Sequence, residues 1–192
     1  MSATPLALEQ REALLVERAH AGDVGAFDEL VEQHRPKLRR ILYRIIRDCD
    51  AADDAVQEAL VKAWRNIGQF EGRARFSTWL TAIGIREVYR AMRKGRHEVL
   101  ELNDSVGERI PDWGAQPDAL FESREFLAAV DEALGKLPPD YRSAVVLRDV
   151  EGLSTQEAAE VLEIGERALK SRLHRGRMAL RVELDDYFKG SG

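Results

Sequence analysis

The sequence predicts an all-α protein of two helical units joined by a flexible acidic linker, and three observations carry that expectation. Apolar residues recur at three- and four-residue intervals along most of the chain, the period of a helix with one buried stripe. Gly and Pro are sparse while charged residues make up 33%, which suits helices with wet outer faces better than short strands. Over residues 98–120 the period breaks, in a segment holding Asn103, Asp104, Ser105, Gly107, Pro111, Asp112, Gly114 and Pro117. The expected division is residues 1–97, a linker over 98–120, and residues 121–192, and 192 residues suffice for two small domains.

In the first unit, Phe27, Leu30 and Val31, then Leu38, Ile41, Leu42, Ile45 and Ile46, share one stripe. Pro36 interrupts that run and can kink it. A further helix is expected over residues 50–66, with Ala55, Val56, Ala59, Leu60, Ala63 and Trp64 on one side. Asp54, Gln57, Glu58, Lys62 and Arg65 lie mainly on the other. After a loop with Gly68, Gly72 and Arg73, Ser77 or Thr78 suits the cap of a helix carrying Trp79, Leu80, Ile83, Val88 and Met92.

In the second unit, Phe121, Phe126, Leu127, Val130, Leu134 and Leu137 fall at helical spacing. Pro138 and Pro139 end that helix, and Pro139 suits the first turn of the next, where a missing N–H costs nothing. A second helix is expected from Tyr141 to Val150, a turn at Glu151 and Gly152, and a capping box from Ser154 and Glu157. Ala158, Ala159 and Leu162 then line a short helix, Glu163 to Gly165 a turn, and Leu169 and Leu173 the inner face of a following helix. Short helix, tight turn and second helix with buried leucines at these offsets form a helix-turn-helix, which lays its second helix in the major groove.

A formal net charge of −5 argues, alone, against a nucleic-acid partner, but the distribution reverses that argument. After Glu166 the chain carries Arg167, Lys170, Arg172, Arg175, Arg177 and Arg181 with no acid among them. Solvated faces usually mix signs. Arg167, Lys170, Ser171, Arg172, His174, Arg175 and Arg177 have the donors that base edges and phosphates require. A second basic stretch holds Arg86, Arg90, Arg93, Lys94 and Arg96, and the chain between is strongly acidic. Phe70, Phe76, Trp79 and Tyr89, interleaved with Arg73, Arg75, Arg86, Arg90 and Arg93, have the chemistry to stack unpaired bases beside cations that follow the backbone. Phe76 and Trp79 suit core positions equally well.

Several classes are set aside. Cys49 is the only cysteine, so neither an internal disulfide nor a thiolate zinc site is expected, and a reducing cytoplasm fits. No apolar run nears the ~18 residues of a membrane span, and the opening MSATPLALEQREALL lacks the apolar core of a secretory signal. No glycine-rich phosphate loop, metal cluster or nucleophile motif points to an enzyme, and no cofactor is expected.

The run Leu169-Lys170-Ser171-Arg172-Leu173-His174-Arg175-Gly176-Arg177, after Leu147-Arg148-Asp149-Val150-Glu151-Gly152-Leu153-Ser154 and Glu157-Ala158-Ala159, resembles domain 4 of sigma-70-family factors. Asp53-Asp54-Ala55-Val56-Gln57-Glu58-Ala59 with Ala63-Trp64 resembles the core-polymerase-binding helix of the same family. Phe76-Ser77-Thr78-Trp79-Leu80 resembles the start of its promoter-melting segment. The order and span of these matches are similar to the two-domain extracytoplasmic-function group. That resemblance implies that residues 1–97 are sigma domain 2 and residues 121–192 sigma domain 4. It implies that Asp53, Asp54, Gln57 and Glu58 face core RNA polymerase. Phe70, Arg73, Arg75, Phe76, Ser77, Trp79, Arg86, Tyr89, Arg90 and Arg93 would then serve the minus-ten element, and the cationic helix the minus-thirty-five element. It also implies an anti-sigma factor as partner.

The sequence departs from the family pattern at three places. Glu163 stands where the turn usually has Gly, at a position often left-handed; Gly165 offers another place for the turn. Arg167, Ala168 and Leu169 replace the usual Gly-Thr-Val opening of the recognition helix, and Arg86 and Arg90 replace Asn and Asp. The competing readings are a helix-turn-helix regulator that does not join polymerase, an enzyme, and a helical adaptor that binds only proteins.

Overall fold

The computed structural model describes residues 5–95 and 124–190. The linker expected over 98–120 lies outside them, as do Arg96 and Phe121. The chain divides into two compact units, one made chiefly of the first four α-helices and the other chiefly of the last four. Among the described residues there is no β-strand.

The first helix, α1 (Pro5–His20), was not foreseen. It buries only Leu15 and Ala19 among the side chains described, too thin a stripe to stand out in the sequence. Polar contacts tie it to α2 (Val24–Ile46): Arg11 pairs with Glu29, and Glu12 meets His34 Nε2 at 3.0 Å. Asp23 starts α2 by accepting from Ala26 N–H at 3.1 Å. That bond, with the Arg18 guanidinium, holds its carboxyl below the usual aspartate range. Helix α2 runs unbroken through Pro36, which stands on an exposed face.

Asp48 caps α3 (Cys49–Asn66) by accepting from Ala51 N–H at 2.9 Å, so the helix begins just before the predicted start. Its inner face is Ala52, Ala55, Val56, Ala59 and Ala63, small residues that let neighbouring helices approach. A 3₁₀ turn (Ile67–Gln69) leads to α4 (Phe76–Gly95). Neither Ser77 nor Thr78 caps α4: both lie inside its first turn, where Arg75 C=O accepts from Thr78 N–H and Trp79 N–H at 3.0 and 3.1 Å. Gly84 sits where an added Cβ would lie 2.9 Å from Leu42 and 3.0 Å from Leu38, so α4 and α2 pack closely. Leu30, Leu38, Ile41, Leu42, Phe76, Leu80 and Val88 are all within 2% of full burial and form this unit's centre.

The second unit opens with α5 (Arg124–Lys136), whose Leu134 is buried, followed directly by buried Leu137. Arg142, itself buried, donates to Gly135 C=O and Leu137 C=O at 2.8 Å each, satisfying carbonyls left over at the end of α5. Helix α6 (Pro139–Val145) starts on Pro139 as expected, but the predicted helix to Val150 changes character. Residues Val146–Val150 form a π-helical turn, with Glu151 N–H reaching Val146 C=O. Arg148 Nη1 donates across the following turn to Leu153 C=O.

Helix α7 (Thr155–Val161) carries both halves of the capping box. Ser154 Oγ accepts from Glu157 N–H at 3.1 Å and Glu157 Oε2 from Ser154 N–H at 2.8 Å. The last helix is α8 (Glu166–Gly190). Between them Glu163 itself takes φ 55°, while Gly165 stays outside the left-handed region, so the expectation that Gly165 would relieve the turn is corrected. Ile164 N–H donates to Ala159 C=O at 3.0 Å, which holds Glu163 in that geometry.

Candidate nucleic-acid interface

Helix α8 is seated by Leu169 and Leu173, 0% and 8% exposed, against a unit that also buries Ala158, Ala159 and Val161 of α7. Gly176 makes the closest approach: a Cβ there would lie 2.7 Å from Val145 Cγ2 and 3.0 Å from Tyr141 C=O. This seating turns Arg167 and Lys170 to solvent, with Ser171 and His174 half-buried beside them.

Lys170 lies 3.6 Å from Glu166, one turn back on α8, and Arg172, Arg175 and Arg177 are engaged with the unit's own acids and a hydroxyl. Arg172 lies 3.6 Å from Asp140, and Arg175 Nη1 donates to Tyr141 Oη at 3.2 Å. Arg177 grips Asp149 with two bonds, of 2.6 and 3.0 Å, and the pairing holds its guanidinium charged more firmly than usual. Arg172 and Arg177 thereby also join α8 to α6 and the π turn. Sequence spacing could not reveal this, because Asp140 and Asp149 stand some thirty residues upstream.

In the first unit the aromatic residues segregate. Phe76 is 1% exposed and Phe70 7%, with ring centroids 5.7 Å apart, and the half-buried Trp79 packs on both at 5.6 and 5.2 Å. His34 closes the cluster against Phe76 at 5.5 Å. Phe70 and Phe76 are therefore core residues of this unit, which for Phe76 is one of the two places the sequence suits equally well. Trp79, Tyr89 and Ser77 remain partly accessible, while Arg73, Arg75, Arg86, Arg90 and Arg93 are exposed. Arg73 pairs with Glu71 at 2.5 Å.

On α3, Asp54, Gln57 and Glu58 are exposed as expected, and Val61 adds an apolar point to their surface. Asp53 is different: it takes Arg39 in a two-bond pair at 2.5 and 2.9 Å, which holds its carboxyl below the usual range. Among the described residues no cluster of His, Cys, Asp or Glu could hold a metal ion. Sequence reasoning did not single out Glu87, a buried carboxylate bonded to Lys62 at 2.6 Å and Arg90 at 2.7 Å. Its only sequence sign was an acid in an otherwise basic stretch.

A cationic helix seated on a capped short helix through a tight turn defines a helix-turn-helix DNA-binding protein. Residues 30–98 match the family model for sigma-70 region 2, and residues 127–180 that for sigma-70 region 4. The ECF RNA polymerase sigma factor SigW of Bacillus subtilis is 32% identical over 178 residues, 89% of this chain and 95% of that protein. The chain belongs to the sigma-70 family of RNA polymerase sigma factors, in the extracytoplasmic-function group. Solved structures agree. CnrH, in complex with the cytosolic domain of CnrY, superposes with a TM-score of 0.65 at 28% identity, covering 92% of this chain and 98% of that one. The sigma factor RpoE of Bartonella quintana, in complex with the anti-sigma factor NepR, gives 0.62 at 27% identity, covering 84% and 98%.

Proposed function

We propose that this chain joins core RNA polymerase and directs initiation at its promoters, dividing the work between residues 1–97 and 121–192 with 98–120 as tether. Residues 121–192 dock on the minus-thirty-five element as duplex, with Arg167, Lys170 and Ser171 nearest the bases. Arg172, His174, Arg175 and Arg177 lie toward the phosphates. Residues 1–97 take the opened minus-ten strand on Ser77, Trp79 and Tyr89 beside Arg73, Arg75, Arg86, Arg90 and Arg93. Asp54, Gln57 and Glu58 meet polymerase, with Asp53 fixing the start of their helix through Arg39. The observation that carries this reading is the exposure of Arg167 and Lys170 on a helix whose leucines are buried.

The chain acts without catalysis of its own and works in the cytoplasm. No helix of the described residues is long and apolar enough to cross a membrane. An anti-sigma factor is its expected regulator, as CnrH and the Bartonella RpoE were each solved with such a partner or a cytosolic domain bound. Run-off transcription with core polymerase on genomic fragments tests the whole reading. Discrete transcripts that depend on this chain are expected. Binding to duplex without any transcript, even from a pre-melted template, would leave a plain helix-turn-helix regulator instead.

A further inference from the structure

Among the described residues of α4, Glu87 is the one charged side chain that is buried, at 6% exposed. Its two oxygens take different partners. Oε1 accepts from Lys62 Nζ of α3 at 2.6 Å, and Oε2 from Arg90 Nη1, one turn along α4, at 2.7 Å. Burying a carboxylate costs stability unless cations compensate it, and here two do. The pairing constrains the cations in turn. Lys62 is largely covered, but Arg90 keeps 59% of its side chain in solvent. Its guanidinium is therefore anchored at one nitrogen while the rest of its planar fork stays open to a ligand.

That anchoring matters for recognition. A freely swinging cation is satisfied by any phosphate and carries no sequence information, whereas a fork tethered at one nitrogen presents its other donors from a fixed point and can distinguish base edges. Arg86 and Arg93 lie on the same side of the helix, at i−4 and i+3 from Arg90.

We propose that Glu87 is a positioning residue for the opened promoter strand: it tethers Arg90 on the exposed face of α4, so that Arg90 reads a base from a fixed point. Lys62 takes the other carboxylate oxygen and does not itself touch Arg90's end of the pair. The proposal rests on the sigma-factor reading above.

The test uses holoenzyme assembled from core polymerase and the full chain, offered bubble templates whose unpaired non-template strand is randomised, with bound templates sequenced. Arg90→Ala should flatten the base preference at one position, from roughly tenfold to under about twofold. Glu87→Gln should flatten that same position, spare the others, and leave total bubble capture no weaker, since it removes a negative charge. Lys62→Met, which leaves the Glu87–Arg90 pair in place, should keep the preference. If Glu87→Gln fails to fold, Glu87→Asp withdraws the carboxylate by one methylene and gives the same readout. Retained preference in the Glu87 variant overturns the proposal, as does equal flattening at every position by the Glu87 and Lys62 variants, the mark of a merely structural network. A wild-type holoenzyme that captures no bubble template at all sinks the sigma-factor reading itself and this proposal with it.

Discussion

Helices α4 and α8 are both cationic, yet they hold their charges in different ways. On α8, Arg172 and Arg177 pair with acids carried by other segments, Asp140 and Asp149, so these bonds fix the helix in its unit. On α4, Arg90 pairs with Glu87 of its own helix, and that carboxylate is buried while the arginine is not. The same residue type thus serves as scaffold in one helix and as an aimed, accessible group in the other. A cation's partner, rather than its sign, decides which.

The comparison can be broken at several points. The largest effect is expected at Phe76, whose ring is core: Phe76→Ala should cost about 3–5 kcal/mol in denaturant unfolding. A stable variant that had lost only bubble binding would return Phe76 to the role of a stacking platform. On α8, Arg167→Ala or Lys170→Ala should each weaken binding to the selected duplex promoter by about 1–3 kcal/mol with the unfolding midpoint unchanged. A fall in stability instead would mean that these exposed cations are scaffold too. Ser154→Ala, which removes the α7 cap bond, should cost about 1 kcal/mol of stability, and any loss of duplex affinity should follow from that alone.

The smallest effect concerns Asp53. Because Arg39 depresses its folded pKa below the usual aspartate range, the α2–α3 pair contributes fully above the unfolded pKa and is lost as pH falls through the folded one. A carboxyl carbon titration by NMR should place the Asp53 transition below the usual aspartate range. A transition within that range would show that the pair does not form in solution.

Much of this architecture was legible beforehand. The capping box at Ser154 and Glu157, the helix start on Pro139 and the buried Leu169 and Leu173 follow from short-range rules, because each depends on residues within one or two turns. What escaped depends on distance or on balance. Helix α1 is held largely by polar contacts to α2, which leave a faint apolar period. The π turn at Val146–Val150 has no residue signature. Glu163 keeps a left-handed backbone that a glycine would adopt more readily, since the Ile164 to Ala159 bond beside it outweighs local preference. In the site, the exposed stripe of Asp54, Gln57 and Glu58 was readable by period. The burial of Phe70 and the pairing of Arg177 with Asp149 were not, because both are set by residues that meet only after folding.

The Arg177–Asp149 grip also bears on how binding should respond to potassium chloride. A helix credited with Arg167, Lys170, Arg172, Arg175, Arg177 and Arg181 suggests six released counterions and a log–log slope near about −5. For Arg177, Arg172 and Lys170, however, a phosphate would only exchange one anion for another already in place, so these three release little. The measured dependence should be shallower, about −3, and promoter occupancy correspondingly less sensitive to the ionic state of the cell than the charge count suggests.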